Sequence, residues 1–272
     1  MPEPALAAPF EPGCGAFGAI RAWVEAQLGI RFDDEQASVL GRRLSMAFGG
    51  EETLRNIVER LRTGDAATIV RVAEAASTNH TFFFREPESF DALARVVVPH
   101  LPSHGDVRVW SAASSSGEEA YSLAMCMREV LPVPQRLRIL GTDISQKQVR
   151  AAEAGIYDPG AVVNVPPRFR RLFSPTEGGA VQLAGEIMRP CVFRRMNLVS
   201  FPWPFARRFH VTFLRNVLYY FDPAVRLRIV DACYDATEPG GWLFVGLSEP
   251  MVDLVSRWTP KGAGMFRKEV ER

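Results

Sequence analysis

The sequence lacks the features that mark several classes of protein. Its four cysteines lie far apart and form no Cys-x-x-Cys pair, which argues against a zinc site and against a disulfide framework. No apolar run approaches the length of a membrane span, and residues 1–14 have neither the basic segment nor the continuous apolar run of a signal peptide. We therefore expect a cytoplasmic protein that does not insert directly into a membrane, with residues 1–14 as a flexible tail.

The sequence also has almost no excess of charge. A formal net charge of +1 over 272 residues provides no general field that would hold nucleic acid. The four histidines show no metal-ligand spacing. Within the loop that follows the predicted strand VRVWSA, Gly117 is the only glycine, so this loop lacks the G-x-G-x-x-G pattern of a dinucleotide site. We expect no nucleic-acid partner and no metal.

Apolar residues recur at helical spacing in the first part of the chain, beginning with Phe17, Ile20, Val24 and Leu28. Asp33 and Asp65 stand where helix N-caps are expected, and glycines separate the periodic segments. The pattern predicts an N-terminal all-helical domain over residues 15–77, followed by a linker over residues 78–100.

From Val107 onward the pattern changes to short β-rich runs separated by helical segments. The predicted strands are VRVWSA, LRILGTD, CVFRRMN, FHVTFLRN and GWLFVG. This alternation is typical of an α/β fold with a mostly parallel, doubly wound sheet, which we assign to residues 101–272. Residues 156–190 are rich in proline and glycine and predict a small inserted subdomain.

Ligands of such sheets bind beyond the carboxyl ends of the strands, so the residues after each strand are the candidate site. After the first strand, Ser116 and Glu119 match the S-x-x-E capping box, which assigns Glu119 to a helix cap. Glu118 does not belong to the capping box, although its place in the first turn could serve only to stabilise the helix dipole. It is a candidate acceptor for a ligand ammonium group.

The next strand ends contribute three more candidates. Asp143 follows the second strand, where a carboxylate binds ribose hydroxyls, although it could instead cap the helix that starts near Ser145. Asn197 and Asn216 follow the next two strands. Each carboxamide could bind an adenine edge or simply hold a turn.

Several motifs together resemble the chemotaxis receptor methyltransferase family, CheR. They are NHTFFFRE, WSAASSSGEEAYS, GTDIS, the Asn-Leu before PWPF, RNVLYYF and EPGGWLFVGLSE, and they extend over nearly the whole chain. The resemblance implies a Rossmann-like domain that binds S-adenosylmethionine (SAM) and carries a small antiparallel β-subdomain. It also implies methyl transfer from SAM to glutamate side chains of a chemoreceptor, which leaves S-adenosylhomocysteine and a glutamate methyl ester.

The resemblance further assigns roles to individual residues. The cofactor contacts that it implies are Asn79, Thr81, Arg85, Glu118, Asp143, Asn197, Leu198, Asn216 and Val217. A glutamate substrate is already ionised at neutral pH, so the reaction needs alignment and desolvation rather than a general base. We therefore predict Arg85 and Tyr220 as the catalytic residues, with the phenylalanines of FFFR packing the linker over the cofactor.

The resemblance implies that the helical domain meets the cytoplasmic coiled coil of the receptor. On the second helix Ala37, Leu40 and Leu44 define the buried stripe, so Arg42 projects from the opposite side with Arg43 at its flank. These two arginines are the predicted receptor contacts, although a merely solvated face is the alternative. The inserted segment lacks the Gly-Tyr-Gly loop of members that tether to a receptor's C-terminal pentapeptide, which favours a tether-independent enzyme that acts as a monomer.

Three other functions use the same strand-end loops. A receptor-like protein in another signalling pathway could be the methyl acceptor. A small-molecule or nucleobase methyltransferase would share the SAM loops, but a nucleobase enzyme would carry an Asn/Asp-Pro-Pro-aromatic motif where this chain has RNVLYYF. A non-catalytic SAM-binding regulator would keep Glu118 and Asp143 while losing Arg85 or Tyr220.

Overall fold

The computed structural model describes residues 15–49, 54–77, 80–131, 136–249, 257–262 and 264–270. The predicted tail and the candidate Asn79 therefore lie outside the described residues. Within them no helix is long and apolar enough to cross a lipid bilayer.

In the part of the chain that the structure describes, four helices precede the linker, one lies within it and five follow it. The helices are α1 (Ala16–Leu28), α2 (Asp34–Phe48), α3 (Leu54–Arg62), α4 (Ala66–Ala76), α5 (Pro87–Ala92), α6 (Glu118–Val130), α7 (Gln146–Ala154), α8 (Pro167–Arg170), α9 (Gly185–Met188) and α10 (Pro223–Asp235). Both predicted aspartate caps are confirmed. The Asp33 carboxylate accepts the Gln36 N–H at the start of α2, and the Asp65 carboxylate accepts the Thr68 N–H at the start of α4.

The described residues contain ten strands, which form two sheets. The strands are β1 (Val107–Ala112), β2 (Leu137–Asp143), β3 (Ile156–Tyr157), β4 (Phe173–Pro175), β5 (Val181–Leu183), β6 (Cys191–Arg195), β7 (Phe209–Leu214), β8 (Thr237–Val245), β9 (Thr259–Gly262) and β10 (Met265–Arg267). The large sheet has the order β6-β2-β1-β7-β8-β10-β9. Its first five strands are parallel, as predicted, whereas β9 and β10 extend it antiparallel and were not predicted.

The second sheet occupies the proline- and glycine-rich segment. Strands β3, β5 and β4 pair antiparallel in that order between α7 and β6. The Phe run of the linker packs beside this sheet: the Phe83 ring lies 4.9 Å from the Tyr157 ring and 5.2 Å from the Phe173 ring. Phe84 stacks on Phe169 and donates its backbone N–H to the Ser122 hydroxyl. Phe83 and Phe84 are thus core residues, and they anchor the linker to α6 and to the small sheet.

The buried apolar residues form two clusters, one on each face of the large sheet. One cluster contains the Phe run, α6 and the residues beneath the small sheet. The other contains the buried residues of α1 to α4 together with Trp110, Leu214 and Leu243 of the strands. The four N-terminal helices therefore share a hydrophobic core with one face of the sheet.

Candidate functional site

A cavity lies at the carboxyl ends of the parallel strands, beneath the N-terminal helices. Its walls contain most of the predicted site residues, namely Thr81, Arg85, Asp143, Asn197, Leu198, Asn216, Val217 and Tyr220. Leu28, Ile30, Ala76 and Ser77 of the helical region line it as well. Glu118 is buried but does not line the cavity, and its carboxylate accepts the Ser116 hydroxyl at 2.8 and 2.9 Å. Its assignment to a ligand ammonium group stays a prediction.

Asp143 ends β2 at the floor of the cavity and is 6 % exposed. One carboxylate oxygen accepts the Ser115 N–H at 2.8 Å, and the other accepts the Ser145 N–H at 2.9 Å. Burial raises the pKa of Asp143, and these N–H donors act against that rise. The helix cap is Ser145, whose hydroxyl accepts the Gln148 N–H, so the alternative role of Asp143 as that cap is wrong. Because a carboxylate offers about four acceptor positions, two of them are left for a ligand.

The loop that follows β1 carries buried hydroxyls without partners. Among the described residues, neither Ser114 Oγ nor Ser115 Oγ has a hydrogen-bond partner, and both serines line the cavity. Such groups are costly to bury unless something hydrogen-bonds them. Their position beside Asp143 fits a polar ligand with several hydroxyl or amine groups.

Glu119 does not cap its helix, so that prediction is wrong. The N-cap of α6 is Gly117, which makes no side-chain cap bond. Glu119 instead accepts the Ser111 hydroxyl at 2.7 Å and pairs with Arg215 at 3.3 Å. It lines the cavity, whereas its neighbour Glu118 does not.

Arg215 is the centre of a buried ionic cluster that the sequence did not reveal. Its side chain is 1 % exposed and pairs with Glu86 at 3.1 Å as well as with Glu119. It also donates to the backbone carbonyl of Arg85. Burial raises the pKa of Glu119, and the Arg215 charge opposes that effect. For Glu86, burial raises the pKa, but the Asn216 hydrogen bond and the Arg215 charge outweigh it, so the pKa is lowered overall.

Arg85 itself lines the cavity. Its guanidinium donates to the His80 carbonyl at 2.9 Å and lies 5.8 Å from the centre of the Phe82 ring. No carboxylate of the described residues forms an ion pair with it, in contrast to Arg215. Arg85 is therefore a cation that can accept an anionic group of a ligand.

Backbone strain is concentrated around this cavity. Among the described residues, five non-glycine residues have a positive φ: Phe84, Glu86, Ala113, Ser115 and Asn216. All five lie in the linker, in the loop after β1 or at the end of β7, which are the segments that build the cavity walls. Left-handed residues of this kind cost about 1–2 kcal/mol each and persist where the surrounding structure fixes them, typically at functional sites.

Comparison with known proteins identifies the family. Residues 79–262 match the model of the family described as "CheR methyltransferase, SAM binding domain". The chain belongs to the CheR methyltransferase family.

Several proteins named as chemotaxis protein methyltransferases are similar to this chain over most of their length. A probable chemotaxis protein methyltransferase of Rhizobium etli is 34% identical, with 83% of this chain and 89% of that protein aligned. Chemotaxis protein methyltransferase 1 of Pseudomonas aeruginosa is 32% identical over 88% of this chain and 91% of its own. That of Vibrio cholerae is 31% identical over 87% and 89%. The prediction of a SAM-dependent methyltransferase of the chemotaxis family is confirmed.

Two further predicted site residues of this CheR-family chain, Asn197 and Tyr220, bond to the N-terminal helical region. The Asn197 amide donates to the Gln27 carbonyl at 2.9 Å and its oxygen accepts the Val199 N–H at 3.2 Å, so its carboxamide joins the site to α1. Tyr220 accepts the Arg31 N–H through its backbone carbonyl, and its hydroxyl lies 3.4 Å from that of Tyr219. Among the described residues, no three His, Cys, Asp or Glu side chains cluster as a metal site.

The two arginines of α2 differ in their surroundings. Arg42 is exposed, as predicted. Arg43 is partly buried and donates to the Ser77 carbonyl at 2.8 Å. Ser77 lines the cavity, so Arg43 also supports the wall of the site.

We expect Asp143→Asn to weaken SAM binding by about one to two orders of magnitude. A lost hydrogen bond to a charged acceptor costs about 1.5–3 kcal/mol, and the neutral amide can accept through only one oxygen. Calorimetric titration of SAM measures the change. Asp158→Asn is the matched control, because the Asp158 carboxylate accepts the Gly160 N–H outside the cavity. Equal dissociation constants for wild type and Asp143→Asn would contradict the assignment.

Proposed function

We propose that the chain transfers the methyl group of SAM to glutamate side chains in the cytoplasmic coiled coil of a chemoreceptor. The product is a glutamate methyl ester, and the enzyme is a protein-glutamate O-methyltransferase of chemotactic adaptation. The observation that carries the proposal is Arg85, a cavity cation with no carboxylate partner among the described residues. The name of these relatives, chemotaxis protein methyltransferase, supports the same substrate class.

The residues of the cavity fit SAM. Asp143 would accept the ribose hydroxyls, since its carboxylate keeps acceptor positions after binding two N–H groups. Ser114 and Ser115, whose hydroxyls have no hydrogen-bond partner among the described residues, line the same cavity. Thr81 and Arg85 would hold the methionine end of SAM. Asn197 and Leu198 would hold its adenine end. Asn216 and Val217 would contact the cofactor along the remaining wall of the cavity. When bound, SAM supplies an electrophilic methyl group.

The proposed chemistry needs no general base from the chain. The γ-carboxylate of the substrate is ionised at neutral pH and becomes reactive when water is removed from it. Arg85 offsets the loss of hydration and aims the carboxylate oxygen, because a guanidinium binds carboxylates through two parallel hydrogen bonds. Tyr220 directs its hydroxyl at the reacting atoms. The presence of both side chains in one cavity disfavours a non-catalytic SAM-binding regulator.

We further propose that the exposed side of α2 contacts the receptor. Arg42 offers a cation there, and Met46, one turn further along, is 83 % exposed. The segment between β4 and β5 reads TEGGA and lacks a Gly-Tyr-Gly loop, which supports action without a pentapeptide tether. We place the enzyme in the cytoplasm as a monomer of four parts: a tail to residue 14, a helical domain over 15–77, a linker over 78–100 and a methyltransferase domain over 101–272, with an inserted subdomain near 156–190.

We expect Arg42→Glu to raise KM for the receptor by about 3- to 10-fold at low salt without changing SAM affinity. Charge reversal at the edge of an interface acts mainly on association and on its salt dependence. Arg43→Glu should in addition weaken SAM binding, because it removes the support of the Ser77 carbonyl. The exposed Arg55 of α3 provides the control, Arg55→Glu. A wild-type KM for Arg42→Glu at low salt would show that recognition lies elsewhere.

The experiment that tests the proposal uses methyl-labelled SAM and purified cytoplasmic fragments of chemoreceptors. Label transferred to receptor should leave as methanol under mild base, as an ester must, and peptide mapping should find it on glutamate. Base-stable label would contradict ester formation. Transfer to a receptor-like protein of another pathway, but not to chemoreceptors, would redirect the proposal to that pathway.

A further inference from the structure

Glu249 lies four residues beyond Val245, the end of β8, and is 7 % exposed. One carboxylate oxygen accepts the N–H groups of Val217 at 2.7 Å and Leu218 at 2.6 Å. The other accepts those of Asn216 at 2.9 Å and Gly246 at 2.7 Å. The described residues provide no Lys or Arg that pairs with it. Burial of a carboxylate without hydrogen-bond partners is strongly unfavourable. These four backbone N–H groups therefore stabilise the buried Glu249 carboxylate.

Three of these four N–H groups belong to the segment that turns away from β7. Asn216, the first residue of that segment, has a φ of 58°, in the left-handed region. Its side-chain amide donates to Glu86 at 2.9 Å, so two carboxylates hold this residue, one through its side chain and one through its backbone. A Cβ on Gly246 would lie only 2.8 Å from the side-chain nitrogen of Asn216, so close packing requires glycine there.

The turn ends at Tyr220. Leu218–Tyr220 form one turn of 3₁₀ helix, in which the Tyr220 N–H donates to the Val217 carbonyl at 3.2 Å. The Tyr220 carbonyl in turn accepts the Arg31 N–H at 3.0 Å. Little torsional freedom is left between the atoms that Glu249 binds and the backbone of Tyr220.

We infer that Glu249 is a positioning residue for Tyr220: its carboxylate shapes the Asn216–Tyr220 turn and so sets where the Tyr220 hydroxyl stands in the cavity. The inference rests on the proposed function, because the role of Tyr220 in methyl transfer belongs to that proposal. Glu249 itself does not line the cavity, so it would affect catalysis only through the position of Tyr220.

Glu249→Gln tests the inference with little change of shape. The amide nitrogen cannot accept, so two of the four N–H groups lose their partner. We expect kcat at saturating SAM and receptor to fall about 10- to 100-fold, since one lost hydrogen bond to a charged group already corresponds to about tenfold. In the Tyr220→Phe background the same change should lower kcat much less, because the hydroxyl that it displaces is absent. Glu238→Gln, at the opposite end of β8, is the matched control.

Either of two kinetic results would overturn the inference: a wild-type kcat for Glu249→Gln, or equal losses of kcat in the wild-type and Tyr220→Phe backgrounds. Amide hydrogen exchange provides a second measurement that does not depend on activity. In Glu249→Gln we expect faster exchange at the N–H groups that lose their acceptor, either those of Val217 and Leu218 or those of Asn216 and Gly246. If wild type transferred no methyl group to receptor, the proposed function would fail, and unchanged exchange would separately overturn the role of Glu249 in the turn. Should Glu249→Gln not fold, Glu249→Asp, which keeps the charge but not the reach, replaces it in both measurements.

Discussion

Arg215→Met should lower the free energy of unfolding by about 3–5 kcal/mol, the cost of leaving buried charges unpaired. Glu86 and Glu119 both lose their cation, and their side chains are only 19 % and 15 % exposed. The linker also loses the bond from Arg215 to the Arg85 carbonyl. Urea denaturation followed by far-UV circular dichroism measures the change.

Two further variants identify the cause of that loss. Arg128→Met breaks an exposed ion pair with Glu186 and should cost less than about 1 kcal/mol. Adding Glu119→Gln to Arg215→Met removes one of the unpaired charges and should restore part of the stability. An Arg215→Met protein as stable as Arg128→Met would show that the cluster contributes nothing to the fold.

Arg85→Ala should lower kcat by about 10²–10³-fold while leaving the protein folded, since the loss of a group that stabilises charge in a desolvated site has effects of this size. The side chain bonds only the His80 carbonyl among the described residues, so its removal disturbs little structure. Transfer of labelled methyl groups to receptor, assayed as base-labile label, gives the rate.

Arg85→Lys distinguishes charge from geometry. Lysine keeps the charge but lacks the planar fork, so we expect an intermediate kcat. Thermal denaturation of each variant checks that the fold is intact. Wild-type kcat for Arg85→Ala would remove Arg85 from the mechanism, and the carboxylate would need another partner.

Local patterns of the sequence predicted the elements well, because their causes are local. Asp33 and Asp65 cap helices through bonds to residues three positions ahead, and such spacing is visible in the sequence. The strands β1 and β2 were predicted with their observed ends. In contrast, β9 and β10 have four and three residues, too few for alternation to be distinctive.

The site was predictable where residues follow strands and not where distant side chains meet. Glu86 and Glu119, the two partners of Arg215, lie 129 and 96 positions before it in the chain, and no spacing rule connects them. Glu118 and Glu119 show a second limit. Successive residues of a helix point about 100° apart, so only the packing of α6 decides which of two adjacent glutamates faces the cavity.

The four N-terminal helices share a hydrophobic core with the sheet, so the part of the chain that forms the site begins before the region that matches the family. The region that matches the family starts at residue 79, yet Leu28, Ile30, Ala76 and Ser77 close one side of the cavity. A bridge between Ile30 and Phe221 joins that side directly to the chain after Tyr220. A fragment cut at the start of the matched region would expose an apolar sheet face and open its cofactor pocket to water. The boundary of the matched region therefore coincides neither with the boundary of the buried core nor with that of the cavity.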